Sequence, residues 1–199
     1  MKGLLLAFLL GASIQSQAVD PMLASLDGLF QMVNPSLPQN AYFPKFAQEK
    51  IWWLVEQQKQ GRLDVVLLNS LANTNLTADD LMSSAIVNGR LTLAVVQTRL
   101  TTFLAEGKVN QLQIKNDFML GVVHEVVHLQ NPKLASSNHL AEEQRAWREV
   151  NSNVVRKLRA SKQPMNKRFI AVDDALKACK DQLPCPSLAR ILLPSEIRR

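Results

Sequence analysis

Glycine is scarce, with seven residues in 199. That argues against a β-sandwich and towards a helical bias. Cysteine is scarcer still: Cys179 and Cys185, in "CKDQLPCP", are the only two. In an oxidising compartment this pair is expected to close a small loop as a disulfide; as a metal pair it has no histidine near it. Beyond the first residues, no window reaches the ~18 consecutive apolar residues of a membrane span, so the mature chain is expected to be soluble, with no transmembrane anchor. Internal repeats and low-complexity tracts are absent. The basic residues are not interleaved with aromatics, so stacking on single-stranded nucleic acid has no support and no nucleic-acid partner is expected.

What is present begins at the N-terminus. "MKGLLLAFLLGASIQSQAVDP" has a positive Lys2, an apolar stretch from Gly3 to Ala12 and a small-x-small site at Ser16-Gln17-Ala18. This is the pattern of a signal peptide over residues 1–18, cleaved near Ala18, and it implies a periplasmic or secreted protein. No cysteine follows the apolar stretch, so a lipoprotein anchor is not expected. Residues 19–199 suffice for one domain with its own core. The hydrophobic fraction of 47% and the charged fraction of 20% are ordinary for such a domain. The net charge of +6 is uneven. From Arg145 onward, thirteen Lys or Arg face five Asp or Glu, which suits either an anionic partner or a solvated helix face.

Residues 19–43, with "NPSLPQN" and "FP", read as loop. A helix is expected from Lys45 to Gly61, with Trp52 and Trp53 packing in the core and at its edge. Thr77, Asp79 and Asp80 signal a second helix ending at Asn88-Gly89. Leu91, Leu93 and Val95 alternate as in a β-strand over 91–97. Asn116 or Asp117 is expected to cap an apolar helix that stops before Pro132. After possible caps at Ser136, Ser137 and Asn138, a long helix is expected to reach Ala160, followed by a helix at "AVDDALKAC" and a Pro-punctuated end. The fold class is therefore mainly α with a small β-sheet.

The chain has three histidines, and two stand in the apolar run "GVVHEVVHLQNP". His124 and His128, four apart on a helix, point the same way and can offer two imidazole nitrogens to one ion. Glu125, about 100° away around the axis, is placed to reach a water rather than to ligate. A purely structural account must bury two imidazoles and a carboxylate without visible partners, at a cost of several kcal/mol. A metal removes the difficulty. The spacing is the His-Glu-x-x-His signature of zinc metallopeptidases.

A third ligand is then expected. Asn131 and Leu134 occupy the positions where a metzincin would carry glycine and histidine. The next helix offers Glu142, Glu143 and Glu149. At about 100° per residue, Trp147, Val150, Asn151, Val154 and Leu158 define one apolar stripe. Glu143 falls inside it, while Glu142 and Glu149 fall on the opposite face with Arg156. Glu143 is the inward carboxylate, either a ligand or paired with Arg145 or Arg148.

"HEVVH", fourteen intervening residues and "EQRAW" resemble the zincin superfamily in its gluzincin form, over roughly residues 90–155. The resemblance implies a zincin-like domain over 19–199 with a buried active-site helix, Zn²⁺ held by His124, His128 and Glu143, and Glu125 as catalytic base. The Asn-Glu-x-x-x-Ser-Asp block of thermolysin-like enzymes is absent. The expected activity is hydrolysis of peptides, proteins or cell-wall peptides by a metal-activated water. Candidate oxyanion donors are His139, Tyr42 and Arg145, and Asn151 is a candidate partner for a ligand histidine. A peptide could add to strand 91–97 if that strand is an edge. Other divalent ions also fit the donors. The rival readings are a non-catalytic binding protein on a degenerate zincin scaffold and a helical exported structural protein.

Overall fold

The computed structural model describes residues 44–68, 81–98, 100, 101, 111–131 and 139–192. The signal-peptide pattern, Tyr42, Thr77, Asp79, Asp80, Pro132 and the caps at Ser136, Ser137 and Asn138 lie outside them. The fold is mainly helical with one three-stranded sheet. Among the described residues, no helix is long and apolar enough to cross a membrane.

Helix α1 (Lys45–Lys59) begins at Pro44, whose fixed φ suits a helix start, and ends where Gly61 takes φ +67. It buries Ala47, Ile51 and Leu54. Trp53 packs against the core, whereas Trp52 is 62% exposed, contrary to a packing role for both.

Strands β1 (Leu63–Leu68), β2 (Met82–Val87) and β3 (Arg90–Val96) follow in the spatial order β1-β3-β2. β1 runs parallel to β3 and β2 antiparallel to it. The helix expected to end at Asn88-Gly89 is, over its described part, strand β2. Asn88 and Gly89 have φ of 51° and 78°, as a two-residue hairpin turn of type I′ requires, so this dipeptide joins two strands. The expected strand over 91–97 is present as β3, but it lies between the other two. Among the described residues, the free edges are those of β1 and β2.

Helix α2 (Gln111–Gln130) starts earlier than expected. Asn116 and Asp117 are thus buried inside it rather than capping it. Asn116 donates to the Pro164 carbonyl, and Asp117 accepts from the Asn166 amide. The apolar composition of α2 matches its place. It is buried from Lys115 to Leu120 and from Val122 to Val127, with α1, β2 and α3 packed around it. Gly121 faces Met82 of β2, whose Cε lies 3.4 Å from where a β-carbon would stand.

Helix α3 (His139–Val150) continues through a π-helical turn (Asn151–Val155) into α4 (Arg156–Ala160), so the long helix expected here is continuous. Helix α5 (Lys167–Ala178) is capped by Asn166, whose side chain accepts from the Arg168 amide. Helix α6 (Pro186–Leu192) follows the Cys179–Cys185 disulfide.

Asp173 of α5 is completely buried and gathers Arg156, Arg159, Lys177 and the Asn151 amide nitrogen at 2.6–3.1 Å. Its burial is tolerable because those donors outweigh the lost hydration and hold its carboxyl far below the usual range. Asp173→Ala is expected to lower stability by about 2 kcal/mol, since it removes the buried acceptor that Arg156, Arg159, Lys177 and Asn151 share. Urea unfolding checks this, and an unchanged midpoint would contradict it.

Candidate metal centre

The apolar packing around α2 carries its two imidazoles into the interior. His124 and His128 meet edge to face, with ring centroids 4.6 Å apart and planes at 84°. Their Nε2 atoms are 3.1 Å apart. From α3, Glu143 sets one carboxylate oxygen 3.2 Å from His124 Nε2 and the other 3.1 Å from His128 Nε2. The structure thus brings His124, His128 and Glu143 into one group able to hold an ion. A tetrahedral zinc with bonds of about 2.0–2.1 Å spaces its ligand atoms roughly 3.3 Å apart, so the fit is close.

Neutral hydrogen bonding does not satisfy this cluster. His128 Nδ1 lies 3.0 Å from Glu142 Oε1, and the carboxylate only accepts, so that nitrogen carries the proton. In a neutral ring, Nε2 is then a lone pair facing another imidazole and a carboxylate. A second proton or a metal ion resolves the clash. Burial pulls the His128 pKa down, but hydrogen bonds and charge from Glu143, Glu125 and Glu142 outweigh it and raise it to about 9. Burial works against the Glu143 carboxylate too, yet the two imidazoles hold its pKa well below the usual range. Without a metal, a proton takes the place of the cation.

His124 is supported differently. Its Nδ1 is buried with no hydrogen-bond partner among the described residues. The ring stacks on Trp147, with centroids 4.2 Å apart and planes at 24°. Trp147 lies one turn beyond Glu143 and is backed by Phe169 at 5.6 Å. One ligand imidazole is therefore steered by a carboxylate and the other by an aromatic face.

Glu125 is buried beside this group but outside it. Ser84 of β2 donates from Oγ to Glu125 Oε2 at 2.8 Å. Burial raises the Glu125 pKa, against the pull of His124, His128 and Ser84. A base of raised pKa, next to a group able to hold an ion and not part of that group, suits proton transfer to and from a water.

No known family model, curated protein or solved structure matches this chain. The chemistry of the centre has to be read from its own atoms.

Several expected positions need correction. Glu142 is not on the solvent face: it is buried and binds His128. The helical wheel misplaces it because the start of α3 is buried on both flanks. Glu142 and Gln144 stand about 100° to either side of Glu143. The first meets α2, and the second accepts from the buried Cys185 amide at 2.8 Å. Glu149 pairs with Lys50 of α1 at 3.5 Å. Asn151 does not touch a ligand histidine; its amide nitrogen goes to Asp173, which pins the π-turn. His139 is exposed at the first residue of α3. Arg145 is exposed and lines a groove of about 380 Å³ beside His128 and Glu142, with Asn131 and Arg148.

Two predictions test this centre. A metal must displace the His128 proton, so its affinity should rise with pH up to about 9, releasing about one proton per ion at neutral pH. Calorimetry in buffers of different ionisation enthalpy measures that release. The imidazolium stabilises the metal-free fold fully below the unfolded value of 6.5, and this contribution should fade as pH rises through about 9. Second, Glu142→Ala should weaken metal binding by about 10–100-fold, with Glu142→Gln falling less because it still accepts from Nδ1. Competition against a zinc chelator reads both variants.

Proposed function

We propose that this chain is an exported, divalent-metal-dependent peptidase of zincin-like design, with zinc as its ion. The observation that carries the reading is the meeting of His124 Nε2, His128 Nε2 and the Glu143 carboxylate at 3.1–3.2 Å, with a buried glutamate held beside them. A purely structural site has no use for that fourth group. The signal-like N-terminus and the Cys179–Cys185 disulfide support export.

A zinc ion held by these three groups would keep one position open for water, lower its pKa and polarise a carbonyl. Glu125 would take the proton from the attacking water and return it to the leaving amine nitrogen. His124 is kept in plane by Trp147, and His128 is fixed in one tautomer by Glu142. An extended peptide or cell-wall peptide would lie along β2, an edge strand whose Ser84 touches Glu125, by main-chain hydrogen bonding. β3 cannot serve this purpose, because both its edges are already paired.

The test is metal analysis of the purified protein joined to turnover of a peptide library. About one zinc per chain is expected, lost in His124→Ala or Glu143→Ala. Glu125→Gln should retain the metal and lose hydrolysis by about 10²–10⁴-fold, the usual contribution of a positioned base. Zinc binding without turnover in the parent protein would favour a binding protein on the same scaffold. Absence of zinc binding would remove the metal reading altogether.

A further inference from the structure

We propose that Ser84 is the positioning residue for Glu125, holding one carboxylate oxygen from the edge strand so that the other faces the reacting centre. Its kinetic consequence rests on the peptidase reading, but its geometric consequence does not.

Met82 and Ser84 lie two apart on β2 and so share the face turned towards α2. Met82 fills that face at Gly121. One step along, the apolar seam is interrupted by a half-buried hydroxyl. Its Oγ stands 2.8 Å from Glu125 Oε2 and 3.2 Å from the Glu125 backbone carbonyl. A hydroxyl has one proton to give, and the shorter contact to the more strongly accepting oxygen takes it. A hydroxyl in an apolar seam costs free energy unless paired. Here its pair is Glu125, a carboxylate that lies outside the group formed by His124, His128 and Glu143.

The bond also limits where Glu125 can go. A glutamate has three side-chain torsions, and on a buried helix beside two imidazoles its carboxylate would otherwise swing into the ligand cluster. Bound at Oε2, it remains beside the ion site with Oε1 able to accept a proton. The anchor comes from the strand on which an extended peptide would dock, so substrate and base share one rigid support.

Ser84→Ala and Ser84→Thr in the zinc-loaded full chain test the proposal by crystallography and steady-state kinetics. In Ser84→Ala, Glu125 is expected to leave its single rotamer. kcat should fall about tenfold, the scale of one hydrogen bond to a charged group, while KM and zinc content hold. Ser84→Thr, which keeps the hydroxyl, should restore both the rotamer and kcat. An unmoved Glu125 in Ser84→Ala, or a threonine variant that behaves like alanine, overturns the proposal. If Ser84→Ala does not fold, Ser84→Cys, a weak donor, takes its place with the same readouts. A parent protein without metal-dependent turnover defeats the peptidase reading, and the rotamer comparison still decides the role of Ser84.

Discussion

Two imidazoles one helical turn apart, on a helix that is otherwise largely apolar, are the constraint around which the described structure is arranged. Each ring brings polar nitrogens into a largely apolar setting, where a partner offsets the lost hydration. His128 is met by Glu142 on one nitrogen and Glu143 on the other. His124 is met by Glu143 on one nitrogen and by the face of Trp147 on the ring. All three partners come from α3, so that helix has one position and one rotation that satisfy the pair. The remaining elements keep it there.

They do so through consecutive residues. Glu142, Glu143 and Gln144 point in three directions, and each is engaged: the first two with α2, the third with the backbone of Cys185. The disulfide loop is thereby tied to the residue next to Glu143. Further along the same helix, Asn151 and Arg156 fasten the π-turn to Asp173. Held at both ends, α3 keeps Glu142 and Glu143 against the two imidazoles. The surrounding carboxylates favour a protonated His128 in that arrangement.

Much of this was legible in advance because it depends on local periodicity. The spacing of His124 and His128, the apolar surroundings of α2, the inward turn of Glu143 and the mainly helical class with a small sheet all follow from residues near one another in sequence. The failures have physical causes too. As a local signal Asn88-Gly89 suggests a helix stop, whereas positive φ at both residues makes it a hairpin turn, and β2 is hidden with it. β1 pairs in parallel with β3, the second strand of that hairpin, and no local pattern announces such a partner. The Asn88-Gly89 hairpin is the signal that would have exposed Ser84, by setting Met82 and Ser84 on one face of a strand.

By itself, the sequence determined which side chains could bind an ion and which helix would be buried, because 3.6-residue periodicity and apolar composition act within a few turns. Only the tertiary structure decided that Glu142 supports His128, that Asn151 serves Asp173 instead, and that a serine from the sheet holds Glu125. Those outcomes depend on which surfaces of different elements meet. A helical wheel drawn for one element shows where its own apolar residues lie, but not how many neighbours will press against it.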